Sequence, residues 1–428
     1  MEEQYKDTKI GRIPKDWEVD SVKNVCKVVT SGLAFDVFEN NKLNEGVKVI
    51  FTKVSDMNLV GNERMIIRGV NEGFFSKEFV SSNSVLKPKS IVFPKRGAAI
   101  KTNKKRINST HIILDPNLIA ISFKEDSTVD YVFLYHYFLS IDLMSFQDDG
   151  VIPQLNKRDI EPFKIPIPPL PEQQKIAEIL STVDEQISTT QAIIDKTKEL
   201  KKGLMQKLFF QGIGHTEFKD TKIGRIPKDW EIIYLKDLCT LITDGSHYSP
   251  VPIKENTEFL IATVKDVYNG ILNLEKCVNI SEVEFHKLAH NNCVPEFGDV
   301  LLSKDGSVGR TCVWDETNNI AILSSLALIK PNLSKIQSDY LKHFLDSPMS
   351  QSWLKRLMGG SALQRIILRD IRKLTVCLPK TSEQQKIADI LSEADAKIKK
   401  EEKEKAQLEQ LKKGLMQQLL TGQKRVKI

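Results

Sequence analysis

A basic loop that contains a glycine is the part of this sequence best suited to contact with phosphate groups. Residues 94–106 carry six basic and no acidic side chains, and they follow the short apolar run 90–93, which has strand length. Small residues let backbone N–H groups approach phosphates, and Lys and Arg neutralise their charge. The alternative is a solvated turn. The candidates for nucleic-acid contact in this loop are Lys95, Arg96, Gly97, Lys101, Lys104, Lys105 and Arg106.

A second loop, residues 304–310, stands 209 residues further on and follows the apolar run 299–303. Asp305 dilutes its charge, so a solvated turn explains it equally well. Arg can donate two hydrogen bonds to guanine, and Gln can pair with adenine. We interpret the two glutamines that follow Gly150 and Gly360 as equivalent. The candidates added by this comparison are Lys304, Gly306, Ser307, Gly309, Arg310, Gln154 and Gln364.

Signatures of catalysis are missing from the sequence. It has no phosphate-binding G-x-x-x-x-G-K-[ST] loop, no G-x-G-x-x-G, no G-x-S-x-G and no H-E-x-x-H, and it lacks the Asn-Pro-Pro-Tyr or Asp-Pro-Pro-Tyr tetrapeptide of amino-methylating enzymes. His286, His290 and Cys293 could share a helix face and bind a metal. The first half has no matching cluster, however, and a fourth ligand is not evident. We therefore predict no catalytic residue and no metal site in this chain.

The elements that must position these loops are written twice. Thirteen residues, 6–18, recur letter for letter as 219–231. Glu-Gln-Gln-Lys-Ile-Ala at 172–177 recurs at 383–388, and Leu-Lys-Lys-Gly-Leu-Met-Gln at 200–206 recurs at 411–417. The chain is thus a unit of about 210 residues present in tandem, as expected for two domains in 428 residues. Such a duplicate offers two similar surfaces.

Each repeat ends in a long predicted helix of about 40 residues, roughly 60 Å at 1.5 Å per residue. Apolar residues step by four and three, the spacing of a coiled coil. The alternative is an amphipathic helix lying on its own domain, which the length disfavours. Connectivity favours two antiparallel helices. Gly203 and Gly414, at equivalent places, suggest a close crossing or a docking site, and inheritance by duplication explains them equally well. The predicted seam is Ile176, Leu180, Val183, Ile187, Ile194, Ile387, Leu391, Ala394, Ile398 and Leu408.

The segments before the helices read as α+β. Short strands alternate with turn signals, and 129–143 and 339–347 read as helices. The net charge of +6 lies outside the two long helices, each of which has equal numbers of acidic and basic residues. Six scattered cysteines form no disulfide framework and fit a reducing cytosol. No apolar run is long enough to span a membrane, and we expect a cytoplasmic protein.

The whole arrangement resembles the specificity subunits of type I restriction–modification systems. Three doubled motifs carry the resemblance: Ile-Gly-x-Ile-Pro-x-x-Trp at 10–17 and 223–230, the run into Glu-Gln-Gln-Lys-Ile-Ala, and Leu-Lys-Lys-Gly-Leu-Met-Gln. The resemblance implies two target-recognition domains joined by a coiled-coil spacer of two antiparallel helices, a pseudo-two-fold tandem repeat. The domains would be 1–165 and 216–378, and the spacer helices 166–215 and 379–428.

The resemblance also implies a function. A double-stranded DNA target would have two parts separated by unspecified base pairs, and two methylation subunits would modify adenine with S-adenosylmethionine. Restriction subunits are often further partners. The chain itself would bind DNA without being a catalyst and without a cofactor of its own. By position, residues Thr30, Ser31 and Gly32, with Thr243, Asp244 and Gly245, fall where the family approaches DNA. The first domain departs from the glycine-loop pattern, since Gly97-Ala-Ala-Ile100 replaces Gly306-Ser-Val-Gly309.

Two other classes of protein compete with this interpretation. A structural scaffold, two globular heads on a coiled coil without sequence-specific DNA binding, predicts salt-insensitive partner binding and no preferred DNA. An enzyme with an unrecognised active site predicts turnover by the purified chain alone.

Overall fold

The computed structural model describes residues 5–30, 33–82, 84–124, 127–146, 153–268, 270–358 and 364–428. The described residues form two compact units. The first contains residues 1–190 and 404–428, and the second contains residues 191–403. The division cuts each long helix rather than following the predicted domain boundaries, so each unit combines one repeat with parts of both helices.

Short strands and short helices make up the first repeat, as the turn-rich sequence predicts. Its strands are β1 (Tyr5–Thr8), β2 (Gly11–Pro14), β3 (Glu18–Ser21), β4 (Cys26–Thr30), β5 (Val47–Thr52), β6 (Met65–Ile66), β7 (Asn71–Phe75), β8 (Ile91–Pro94), β9 (Arg106–Asn108), β10 (His111–Leu114), β11 (Leu118–Phe123) and β12 (Lys164–Ile167). Its short helices are α1 (Val22–Val25), α2 (Phe35–Asn40), α3 (Lys77–Val80), α4 (Tyr131–Leu139) and α5 (Lys157–Ile160), with 3-10 turns at Val54–Asn58, Gly97–Thr102 and Leu143–Phe146.

A five-stranded sheet of order β4-β11-β8-β9-β6 is the centre of the first repeat. Alternate residues of β11 lie in two different hydrophobic clusters, Ile119 and Ile121 in one and Leu118 and Ala120 in the other. Successive side chains of a strand point to opposite faces, so both faces of this sheet are buried. A smaller sheet, β10-β5-β7, contains a parallel pair of β10 with β5.

The second repeat has the same plan. Its strands are β13 (Phe218–Thr221), β14 (Gly224–Pro227), β15 (Glu231–Tyr234), β16 (Cys239–Asp244), β17 (Phe259–Ala262), β18 (Val267–Tyr268), β19 (Ile271–Leu272), β20 (Val278–Asn279), β21 (Val300–Ser303), β22 (Thr311–Val313), β23 (Asn319–Ile322), β24 (Leu326–Pro331) and β25 (Thr375–Leu378). Its short helices are α7 (Leu235–Leu238), α8 (Glu282–His290), α9 (Ser338–Asp346), α10 (Pro348–Leu357) and α11 (Leu368–Ile371), with a 3-10 turn at Leu274–Lys276.

The central sheet of the second repeat has the order β16-β24-β21-β22, which reproduces β4-β11-β8-β9 of the first. The predicted strands at 90–93 and 299–303 are confirmed as β8 and β21, and the predicted helices as α4 and α9. The helix predicted over 129–143 is shorter than expected, because α4 ends at Leu139 and a separate 3-10 turn follows. In each repeat an early strand also pairs with the last one before the long helix, β3 with β12 and β15 with β25.

The two long helices are α6 (Leu170–Gln211) and α12 (Thr381–Leu419), as the apolar periodicity predicts. Within the second unit they run antiparallel, since Lys198 contacts Glu402 at 2.7 Å while Lys201 contacts Asp395 at 2.5 Å. Within the first unit the ion pair of Asp184 with Lys412 measures 2.5 Å. It is the repeat equivalent of the pair between Asp395 and Lys201, because both positions are displaced by 211 residues.

Most of the predicted seam is buried, and Ile176, Leu180, Ile387 and Leu391 lie in hydrophobic clusters shared with the globular parts. Ile176, Leu180, Val183 and Ile194 of α6 are buried, as are Ile387, Leu391 and Ile398 of α12. Ile187, Ala394 and Leu408 are only half-buried. Two polar residues that the prediction omitted, Thr190 and Thr197, continue the four–three spacing and are buried.

The duplicated sequence blocks meet at a joint in each unit. In the first, the indole Nε1 of Trp17 donates to Glu172 at 2.9 Å, and Arg425 donates to both oxygens of that fully buried carboxylate at 2.7 and 2.8 Å. In the second, Trp230 donates to Glu383 at 3.1 Å, and His215 lies 2.9 Å from the same carboxylate. We call these two clusters the first joint (Trp17, Glu172, Arg425) and the second joint (Trp230, Glu383, His215).

The glutamine after each joint carboxylate fastens the long helix to the short helix beneath it. Gln173 accepts a hydrogen bond from the backbone N–H of Asp130, just before α4, and Gln384 accepts one from Gln337, just before α9. Both amides also donate to backbone carbonyls. The repeated Glu-Gln-Gln therefore serves the architecture, and the segments that differ between the repeats carry the candidate loops.

Candidate nucleic-acid interface

The first loop projects from the end of β8 and is braced by the segment around Gln154. The backbone N–H of Gly97 donates to Pro153 at 2.8 Å, and that of Leu155 donates to Lys95 at 2.9 Å, so Arg96 and Gln154 face each other across an antiparallel bridge. Gly97 has a positive φ of 67°, which favours glycine, and the space beside its Cα is open. The structure thus brings two candidates from distant parts of the sequence together.

Arg96, Lys101 and Gln154 are exposed, and they remain candidates for contact with DNA. Lys95 is half-buried, and burial, together with the neighbouring Arg96, lowers the pKa of its ammonium group. No carboxylate among the described residues pairs with Lys95 or Arg96, so this edge of the loop is positive. Lys104 is half-buried and donates to the side chain of Asn58.

Lys105 does not belong in the candidate set. Its side chain is fully buried, and its Nζ donates to the Asn103 side chain at 2.7 Å and to the Ile141 carbonyl at 2.8 Å. Burial lowers the pKa of this ammonium to about 8. Arg106 is also turned inward, since its guanidinium donates to the backbone carbonyls of Asn62 and Lys105 at 2.6 and 2.9 Å. The end of the basic run therefore holds the loop together.

The second loop is shorter, but it begins with the same backbone bridge and has a different charge pattern. The N–H of Gly306 donates to Gln364 at 2.9 Å, and that of Ile366 donates to Lys304 at 2.8 Å. Gly306 has a φ of +70° with open space beside it, like Gly97. Ser307 and Arg310 are exposed, and Arg310 also donates to the Val267 carbonyl at 3.0 Å. The predicted equivalence of the two loops is correct.

Lys304, Gly309 and Gly245 have structural roles. Lys304 is buried, and its Nζ lies 3.5 Å from a carboxylate oxygen of both Asp244 and Asp305, so it neutralises two acids instead of a phosphate. A Cβ on Gly309 would lie 2.6 Å from Gln351, and one on Gly245 would lie 2.2 Å from the Ile322 carbonyl. These glycines permit close packing within the protein.

The predicted equivalence of Gln154 and Gln364 is wrong by one position. The bridges pair Arg96 with Gln154 and Asp305 with Arg365, so Arg365 is the counterpart of Gln154. The shared Arg-Asp-Ile at 158–160 and 369–371, displaced by 211 residues, gives the correct register in the sequence. Arg365 is exposed and was missed, although this displacement could have identified it.

The threonines occupy equivalent strand positions. Thr30 ends β4 beside Ile119, and Thr243 lies in β16 beside Leu328. Both side chains are half-buried. Ser31 and Gly32 lie outside the described residues. Asp244, next to Thr243, contacts His247 at 3.1 Å as well as Lys304.

The comparison with protein families assigns the repeats. The family described as "Type I restriction modification DNA specificity domain" matches residues 14–199 and again 227–410. The chain belongs to this family. The first repeat is therefore its first specificity domain, and the second repeat is its second.

Curated relatives share the full-length arrangement. The chain is 27% identical over 461 residues to the type I restriction enzyme MjaVIII specificity subunit of Methanocaldococcus jannaschii, covering 100% of this chain and 97% of that protein. It is 25% identical over 390 residues to the EcoBI specificity subunit of Escherichia coli, covering 86% and 76%. The fold is similar to the S subunit of a type I restriction-modification system from M. genitalium, with a TM-score of 0.57 at 14% identity, over 94% of this chain and 96% of that one.

The candidate metal ligands His286, His290 and Cys293 do not form a metal-binding group in the described part of the chain. Among the described residues, no group of three or more His, Cys, Asp or Glu side chains could hold a metal ion. His286 is exposed on α8, whereas Cys293 is buried beyond its end. The six cysteines are free. None of the described helices is both long and apolar enough to cross a membrane.

Proposed function

We propose that each specificity domain binds one half of a bipartite DNA target. The observation that carries this proposal is the presence of the same exposed glycine loop, braced by the same second segment, in both domains. The exposed side chains on the two loops differ, which is what two different half-sites require. Arg96 and Lys101 serve the first domain, and Arg310 and Arg365 serve the second, by phosphate contacts and base-edge hydrogen bonds.

The long helices set the distance between the half-sites and dock two methylation subunits. Support for docking comes from the third duplicated block. Leu200 and Leu411 are 60% and 50% exposed at equivalent positions. Gly203 and Gly414, in the same block, have nothing within 4 Å of an added Cβ, so a close crossing within the described chain does not explain them. Two equivalent apolar sites suit two copies of one partner.

The chain contributes recognition, and its partners contribute chemistry. S-adenosylmethionine belongs to the methylation subunits, and this chain binds no cofactor. A target adenine must leave the base stack to reach an active site. Restriction subunits would be further partners, and a reducing cytosol suits the six free thiols.

Mapping methylated adenines tests the proposed function. The full chain is co-expressed with its methylation subunit, and modified adenines are located across the host genome. The expected result is one motif of two short specified sequences separated by a gap of constant length. Methylation without a two-part motif would contradict the proposal. Purified chain without the methylation subunit should give no methylation.

The docking site is tested with Leu200→Glu and Leu411→Glu. Each single variant should lose one of two bound methylation subunits in native mass measurements, and the double variant should lose both. Val283→Glu, at a residue 66% exposed on α8 and outside the block, is the matched control. Retention of two subunits by the double variant would place the docking surface elsewhere.

A further inference from the structure

A cross-strand pair of opposite charge lies at the exposed edge of the second specificity domain. The Nε of Arg365 donates to Asp305 Oδ1 at 2.6 Å, and its Nη2 donates to Oδ2 at 3.2 Å. The backbones of the two residues form an isolated antiparallel bridge beside the open Gly306. An arginine with 61% of its side chain exposed is thus held in one orientation by two hydrogen bonds.

The carboxylate of Asp305 is positioned in turn by a buried lysine. Its side chain is 20% exposed, and the buried ammonium of Lys304 lies 3.5 Å from its Oδ2 and 3.5 Å from Asp244. An exposed ion pair contributes little to folding stability. What this arrangement supplies is orientation, because a buried cation fixes the carboxylate and the carboxylate fixes the guanidinium.

The hydrogen bonds to Asp305 leave a second fork of donors on Arg365. A guanidinium has five N–H groups in one plane. With Nε–H and one N–H of Nη2 engaged, Nη1 and the remaining N–H of Nη2 form a parallel pair directed away from the carboxylate. That pair matches O6 and N7 of guanine in the major groove.

The same bridge in the first specificity domain carries different side chains. Arg96 stands at the position of Asp305, and Gln154 stands at the position of Arg365. Gln154 donates to Asn156 at 3.0 Å, and Arg96 has no carboxylate partner among the described residues. The backbone is kept while the hydrogen-bonding groups change, which is the pattern expected where two domains recognise different sequences.

We propose that Arg365 reads a guanine in the half-site of the second specificity domain, with Asp305 as a positioning residue that aims its guanidinium. The inference rests on the proposed function and deepens it, because it names one base and the side chain that selects it. Arg365→Lys is the decisive variant, since it keeps the positive charge and removes the fork. Asp305→Asn keeps the volume of the side chain and weakens the hydrogen bonds that orient the Arg365 guanidinium.

The test uses the full chain co-purified with its methylation subunit and a library of randomised duplex DNA. The native complex should enrich a two-part motif with a guanine in one half. Arg365→Lys should reduce the preference for that guanine roughly 10- to 100-fold, with the other half-site unchanged and total affinity at low salt within about 3-fold of the native value. Asp305→Asn should weaken the same preference by a smaller factor. Arg225→Ala, which removes a cation stacked on Phe218, is the control and should leave the motif intact.

Two other outcomes have distinct meanings. If Arg365→Lys enriches the same bases at every position of both halves, the inference is overturned and the proposed function stands. If the native complex enriches no two-part motif, the proposed function fails, and the inference fails with it.

Discussion

Lys101 and Lys105 belong to the same basic loop but have different roles. Lys101 is exposed, so its ammonium is hydrated and available to a phosphate. Lys105 is fully buried, and the Asn103 side chain and the Ile141 carbonyl accept its hydrogen bonds. The first can contribute to affinity for DNA by releasing counterions, whereas the second holds the loop against the segment after α4.

We predict that Lys105→Met destabilises the protein and that Lys101→Met does not. Loss of Lys105 leaves buried acceptors unsatisfied, which should lower the free energy of unfolding by about 1–3 kcal/mol. The change at exposed Lys101 should alter it by no more than about 0.5 kcal/mol. In DNA binding, Lys101→Met should have the larger effect of the two variants. It should reduce the steepness of log affinity against log salt concentration by about one. Urea unfolding and salt titrations with duplex DNA measure both. A lowered salt slope with unchanged stability for Lys105→Met would contradict the assignment.

At the scale of elements, each unit packs a buried histidine of a short helix beside a carboxylate of a long helix. His136 of α4 lies 3.8 Å from Asp184 of α6, and His343 of α9 lies 3.8 Å from Asp395 of α12. Burial lowers the pKa of both histidines to about 3, helped by Lys412 and Arg64 in the first unit and by Lys342 and Lys201 in the second. Both rings are therefore neutral in the folded protein at pH 7.

Because of these two histidines, we expect the free energy of unfolding to fall as the pH is lowered. An unfolded histidine has a pKa near 6.5, so between about pH 6.5 and 3 the unfolded chain binds protons that the folded chain excludes. The stabilisation is complete above pH 6.5 and falls with pH, by about 1.4 kcal/mol per unit for each histidine. Urea unfolding at pH 7, 6 and 5 should show a shallower pH dependence for His136→Asn and His343→Asn. Exposed His286→Asn is the control, and equal slopes in all variants would refute the explanation.

The spacer role predicts a defined change in target geometry. Four residues added to both helices, near Gln191 and Glu402, add about 6 Å and a rotation of about 40° beyond one full turn. The rotation is close to the twist of one base pair, since B-DNA has about 10–10.5 base pairs per turn. The tolerated gap should therefore lengthen by about one or two base pairs with both half-site sequences unchanged. Methylation mapping of the inserted variant measures the gap, and an unchanged gap would argue against the spacer.

The sequence predicted these elements because apolar periodicity reports burial directly. It placed β8, β21 and both long helices, and it identified the two equivalent loops. It missed Thr190 and Thr197 in the seam, since a polar residue at a seam position looks like an exposed one. It also counted Lys105 and Lys304 as surface cations, because a run of charges does not reveal which side chain has buried acceptors or carboxylates nearby. Gln364 was wrongly paired with Gln154 because the two repeats were not aligned on the later Arg-Asp-Ile motif. That motif pairs Gln154 with Arg365.

At the scale of the whole molecule, the segment that follows each long helix supplies a side chain to one of the two joints. In the second unit, α6 leads through Gly212 to His215, which binds Glu383, and the chain continues into the second specificity domain. In the first unit, α12 leads through Gly422 to Arg425, which binds Glu172 and Asp16. Both glycines have a positive φ, 64° and 71°, and an added Cβ on Gly212 or Gly422 would meet the tryptophan of its own joint.

This equivalence predicts that the chain tolerates circular permutation. The hydroxyl of Tyr5 donates to the Gly422 carbonyl at 3.2 Å, so a short linker from residue 428 to residue 1 suffices. New termini between Thr216 and Glu217 would leave His215 on the second joint, just as Arg425 lies on the first joint. The permutant should bind the same two-part target as the native chain, with a Tm within a few degrees. A matched permutant opened between Ile193 and Ile194, inside α6, should lose binding because it breaks the buried seam. Thermal unfolding and methylation mapping compare the two, and failure of the first permutant to fold would exclude the equivalence of the joints.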